Sequence, residues 1–222
     1  MHQAIEAYQS TLQVYTREQL PIDWALTLNN LAGALRGLAI RSTGTQAGQL
    51  LQEAIEDLRS TLQVRTRERF PQDWALTQHN LGTVLNDLAD RGEETLASPY
   101  LLQAIEAYNS ALQVYTHEQL PQQWAGTENT LGVAFLDLAG RSEGALASQN
   151  LQKAMDAFLG SLQVYTESSF PIQWATTTQN LAKTYEAQRD WDNARNSYKH
   201  LLSHYPRDRY LQVKIDELSQ KH

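Results

Sequence analysis

The sequence predicts an all-α chain, a solenoid of antiparallel helix hairpins, and three observations carry that expectation. Landmark residues return every 50 positions: Pro21, Pro71, Pro121 and Pro171; Trp24, Trp74, Trp124 and Trp174; Leu12, Leu62, Leu112 and Leu162; Ala4, Ala54, Ala104 and Ala154. Between them apolar residues recur at three- and four-residue steps, and no segment alternates with a period of two long enough for a strand. Polar, glycine-containing stretches such as Ser42-Thr43-Gly44-Thr45 and Arg141-Ser142-Glu143-Gly144 separate the periodic segments, as connections do. A fixed period in this range signals stacked supersecondary units, each covering its neighbour's apolar face.

The single array spans residues 1–222 and is read in order. Residues 1–20 match the second helix of an incomplete first repeat, because Ala4-Ile5-Glu6-Ala7-Tyr8 returns as Ala104-Ile105-Glu106-Ala107-Tyr108. Ile5, Tyr8 and Leu12 are residue types normally buried, so this helix reads as the edge of an excised fragment or as an end that self-associates. Residues 21–70, 71–120 and 121–170 are three extended repeats. In the second, the first helix is expected from Pro71 to about Asp90, since proline suits a first helical position whose N–H would be unpaired anyway. Phe70 and Trp74 can pack over its start in the manner of a hydrophobic staple. Trp74, Leu81, Leu85 and Leu88 mark its buried face, and Arg91-Gly92 ends it. The second helix is expected to begin near Ser98-Pro99, a capping residue followed by proline. Leu101, Ile105, Tyr108, Leu112 and Tyr115 form its apolar stripe. Residues 171–206 form a shorter repeat, and 207–222 a capping helix carrying Tyr210, Val213 and Leu218.

The last repeat carries a resemblance. Leu181-Ala182, Tyr185, Ala194, Tyr198 and Pro206 resemble the tetratricopeptide repeat pattern, with 13 residues from Leu181 to Ala194 as the 34-residue family unit requires. The earlier repeats keep the landmarks in order but stretched: Leu81-Gly82, Leu85, Ala104, Tyr108 and Ala111-Leu112, with 23 residues from Leu81 to Ala104. Longer helices and a longer loop inside each hairpin are the simplest account. Two departures stand out. The family tryptophan position holds Leu28, Gln78, Glu128 and Thr178, with the tryptophan one turn earlier, and Ala32 and Ala182 replace the family glycine. Asn-Leu-Gly in the first helix and Ala-Ile-Glu-Ala-Tyr in the second are similar to the longer repeats of kinesin light chain and of bacterial arrays, some fused to caspase-like proteases. The resemblance implies a right-handed superhelix whose first helices line a concave groove.

Composition narrows the function. The net charge is −7, with −4 in residues 51–100 and −4 in residues 101–150, and no basic stripe is present for phosphate contacts. Nucleic acid is therefore not an expected partner. No stretch approaches the roughly 18 apolar residues of a membrane span, and no signal peptide is visible. The absence of cysteine removes disulfides and thiolate sites and fits a reducing, cytoplasmic compartment. No nucleophile with a base and an orienting acid is recognisable, nor a phosphate-cradling glycine loop, so no enzyme activity and no cofactor are expected. His200 and His204, four apart on a helix, can share a face, but no third ligand accompanies them in the sequence, and no metal is expected. The repeated tryptophans read as core.

By the resemblance, the groove-facing residues are Leu26, Asn29, Asn30, Gly33 and Arg36 in the first full repeat, and His79, Asn80, Thr83, Asn86 and Asp87 in the second. The third offers Gly126, Asn129, Val133, Leu136 and Asp137, and the fourth Thr176, Gln179, Asn180, Lys183 and Glu186. Asn30, Asn80 and Asn180 precede the repeat leucine, with Thr130 in the third repeat and Asn129 beside it. An amide donates and accepts, so such a column can hold the backbone of an extended peptide or tie neighbouring helices together. The lysines and arginine that the family's carboxylate clamp sets beside such asparagines are missing apart from Lys183 and Arg36, which sit far apart in the array. The expected function is a scaffold binding a neutral or basic protein segment in the groove. The alternatives are a self-assembly module working through the N-terminal helix, and the sensor part of a larger protein such as a repeat-linked protease.

Overall fold

The computed structural model describes residues 1–91 and 94–221, with only the backbone of Glu94. These residues form ten α-helices and no strand: α1 (His2–Leu12), α2 (Pro21–Ala39), α3 (Thr45–Leu62), α4 (Pro71–Arg91), α5 (Glu94–Leu112), α6 (Pro121–Gly140), α7 (Gly144–Leu162), α8 (Pro171–Gln188), α9 (Trp191–His204) and α10 (Arg209–Leu218). The chain divides into two compact units, Met1–Thr116 and His117–His222. In the first, each helix packs on the next from α1 to α5, and α2 also touches α4. In the second, the same holds from α6 to α10, and α6 touches α8. Contact between alternate helices is what stacked hairpins produce, so each unit is an all-α, solenoid-type packing. No helix among the described residues is long and apolar enough to cross a membrane.

The prolines start α2, α6 and α8 at their first turn, each preceded by an apolar N-cap (Leu20, Leu120, Phe170) without a side-chain cap bond. The buried faces follow the expected stripes: Leu81, Leu85 and Leu88 on α4, and Leu101, Ile105, Tyr108 and Tyr115 on α5 and just beyond it. Small residues on the first helix receive large ones from the second. A Cβ on Gly82 would lie 2.7 Å from the Tyr108 ring, and one on Gly132 2.6 Å from Phe158. Where the glycine is alanine, at Ala32, the template partner is the smaller Leu58, and all these side chains are buried.

Four expectations are corrected. Helix α5 starts at Glu94, a turn before Ser98-Pro99, and carries Pro99 within it, on an exposed position. Gly92, the expected stop of α4, lies outside the described residues. The longer loop inside the hairpin holds for the first extended repeat, where residues 40–44 separate α2 from α3, whereas in the third the added length lies mainly in the helices. Only residues 141–143 separate α6 from α7, against 189–190 between α8 and α9, while α7 has 19 residues and α9 has 14. On α10 the buried face is Leu211, Ile215 and Leu218, and Tyr210 and Val213 are exposed, because four- and three-residue steps from Leu211 define one stripe. Finally, Trp24, Trp74 and Trp124 are only half-buried, and Trp174 alone is in the core. The N-terminal α1 buries only Ile5.

Candidate functional site

The expected wall residues lie on α2 and α4 in the first unit, and on α6 and α8 in the second. In the first unit their polar groups join across the two helices at an offset of 51 residues. The Asn80 amide Nδ2 donates to Asn29 Oδ1 at 3.2 Å, and Arg36 Nε donates to Asp87 Oδ2 at 2.6 Å. Arg91 donates to the Ile40 carbonyl at 3.4 Å with the same offset. Asn29 is buried and Asn80 half-buried, whereas Asn30, the template match of Asn80, is exposed on α2. Leu26 on α2 and Leu76 on α4, one template position a period apart, stay 45% and 41% exposed. Thr83 turns its hydroxyl back to the His79 carbonyl, and the His79 ring tilts against Tyr108 at 5.7 Å. Burial, and then the nearby Arg36 charge, pull His79 down to about 4, so its imidazole is neutral at pH 7. Asn86 is buried.

The second unit repeats the amide bridge and replaces the ion pair. Asn180 Nδ2 donates to Asn129 Oδ1 at 3.4 Å, again 51 residues apart. The template positions of Arg36 and Asp87 are here Leu136 and Ala187, so no charge pair crosses the wall at that level. Val133 and Leu136 pack partly buried against the cluster of Ala154, Phe158 and Leu181. Asp137 and Gln179 are half-buried and Lys183 is exposed. Gln179 and Thr176 line a cleft with Ile172, Tyr205, Asp208 and Leu211. Glu186 is engaged with the C-terminal helices: it accepts from the Tyr198 hydroxyl at 2.6 Å and from Lys214 Nζ at 3.0 Å. Of the two cations on the expected wall, Arg36 is thus paired and Lys183 stands in solvent.

The amide column therefore does not run through identical template positions. Its partners are Asn29 with Asn80 and Asn129 with Asn180, which explains why asparagine stands at both 29 and 129. Each bridge uses one donor of one amide and one acceptor of the other, leaving capacity on both for further bonds.

A second grouping could not be found from the sequence. Glu167, in the turn between α7 and α8, reaches both histidines of α9, with carboxylate oxygens 3.2 Å from His200 Nε2 and 3.0 Å from His204 Nε2. The only sequence signal is the paired histidine spacing; the carboxylate comes from 33 residues away. No family model matches the chain, and no curated protein does.

Proposed function

We propose that this chain is a tetratricopeptide-type interaction scaffold, without catalytic activity of its own, that holds an extended protein segment along the walls formed by its first helices. One observation carries the reading: asparagine amides are paired across successive first helices in both units, at 3.2 and 3.4 Å, with hydrogen-bonding capacity left over. Such amides grip a peptide backbone whatever its sequence. Side chains between them differ from repeat to repeat and supply selectivity: Leu26 and Leu76 in one unit, Gly126 and Thr176 in the other. The acidic middle of the chain favours a neutral or basic segment. A right-handed superhelix and a cytoplasmic setting belong to the same proposal.

Peptide display on the purified chain tests it. Extended segments should be enriched, and their binding should weaken in Leu76→Asp and in Asn80→Ala. Failure to enrich any segment, or binding unchanged in both variants, removes the groove reading.

A further inference from the structure

The fourth repeat departs from the first three beside its tryptophan. Seven residues ahead of each repeated tryptophan stand Arg17, Arg67, His117 and Glu167. The first three cover the indole: Arg17 lies 5.7 Å from the Trp24 ring centroid, Arg67 5.8 Å from that of Trp74, and His117 meets Trp124 edge-on at 4.9 Å. A carboxylate is repelled by the negative face of an aromatic ring and cannot take that place. At Trp174 the cover comes from α9 instead, with His200 and His204 edge-on at 5.0 and 5.2 Å. When Ala194 and Tyr198 are matched to Ala154 and Phe158, the two histidines replace Gly160 and Val164 of the preceding repeat. A Cβ on Gly160 would sit 3.5 Å from Trp124, so this template position faces the tryptophan in both repeats. Both imidazoles, and the acid between them, are therefore particular to this repeat.

The supports are firm. The Glu167 turn is tied by Phe170 N to the Thr166 carbonyl at 2.9 Å, a bond that Leu20 and Thr16, and Phe70 and Thr66, repeat. The histidines sit one helical turn apart, on one face, with Trp174 limiting their rotation. One ligating atom from each of Glu167, His200 and His204 lies within 4.8 Å of the other two.

We propose that Glu167, His200 and His204 form a binding site for a divalent transition-metal ion, Zn²⁺ by their chemistry. Two imidazole nitrogens and one carboxylate oxygen make a mixed donor set suited to borderline ions, whereas Ca²⁺ and Mg²⁺ take shells of oxygen. A tetrahedral zinc with bonds near 2.1 Å holds its ligand atoms about 3.4 Å apart. Each imidazole Nε2 already has a Glu167 oxygen near that range, His204 with Oε1 at 3.0 Å and His200 with Oε2 at 3.2 Å. One ligand atom from each of the three residues lies within 4.8 Å of the others, and side-chain adjustment has to bring them to the zinc spacing. The side chains of Glu167, His200 and His204 are 43%, 55% and 38% exposed, so solvent completes the shell and the ion has an open path. Bound metal clamps the turn ahead of α8 onto α9.

The test uses the full chain, stripped with a chelator and titrated with Zn²⁺ in a calorimeter, with ¹H–¹⁵N correlation spectra of the histidine rings alongside. One ion per chain should bind, and the ring nitrogens of His200 and His204 should shift while those of the other histidines stay put. Glu167→Gln and His204→Asn, checked for unchanged helicity by circular dichroism, should each weaken binding about tenfold or more, at least the loss that removing an outer-shell partner causes. No uptake by the wild-type chain, shifts confined to other histidines, or wild-type affinity in Glu167→Gln would each overturn the site. The ring spectra need only the wild-type chain, so they decide the matter even if a variant misfolds.

Discussion

Trp74 and Trp174 occupy one template position two periods apart, yet Trp74 is half-buried under an arginine and Trp174 is 7% exposed. The difference lies in the helices C-terminal to each. Helix α5 has 19 residues, while α9 has 14 and leads into α10. Trp174 joins Ala182, Ala194, Tyr198, Leu201, Leu211, Ile215 and Leu218 in one core. A repeated residue thus does not imply a repeated environment, because the hairpin that receives it sets how much of it is covered.

The largest break in that comparison is expected from Trp174→Ala, measured by thermal or urea unfolding with chelator present. It should cost about 3–5 kcal/mol, as truncating a buried tryptophan does. Trp74→Ala should cost distinctly less, since part of its ring already meets water. Equal losses would show that half-burial under Arg67 protects as well as a core does.

A smaller effect is expected where first and second helices meet. Gly82→Ala drives a Cβ into the buried Tyr108 ring and should cost about 1–3 kcal/mol. The double variant Gly82→Ala/Tyr108→Leu reproduces the Ala32 and Leu58 pairing of the first full repeat and should recover part of that loss. A Gly82→Ala variant as stable as wild type would mean the two helices can move apart at little cost.

The smallest effect compares Glu128 with Gln78, its counterpart one period earlier. Burial pushes the Glu128 carboxyl up from 4.5 to about 7. A folded-state pKa raised in this way contributes stability that is complete below about 4.5 and is lost as pH rises through about 7. Glu128→Gln should therefore flatten the stability profile between those values. At pH 8 it should stabilise the chain by about 1–2 kcal/mol, the shift being discounted for solvent screening of a half-buried group. Asp57, also raised to about 7, keeps its own slope. An unchanged profile would place the Glu128 carboxylate in contact with water.

Much of the fold was legible because helix signals are local. Proline at the first turn fixed the starts of α2, α4, α6 and α8, and three- and four-residue steps fixed the buried faces of α4 and α5. Ser98-Pro99 misled because a proline early in a helix and facing solvent sacrifices few bonds, so it need not mark the boundary. Tyr210 and Val213 misled because apolar type alone does not choose between two faces of a short helix. Leu211 and Ile215 had an equal claim, and packing against α9 decided. Of the candidate site, the identities of the wall residues could be listed from the repeat. Their pairing could not.

The sequence by itself determined the helices, their order and their period, since backbone hydrogen bonding and the turn of the helix act within a few residues. The stacked structure decided the 51-residue stagger that joins Asn29 to Asn80 and Arg36 to Asp87. It also brought Glu167 to His200 and His204. Both depend on how neighbouring helices rotate and slide as their side chains interlock, and that fit is settled by surfaces meeting in space rather than by spacing along the chain.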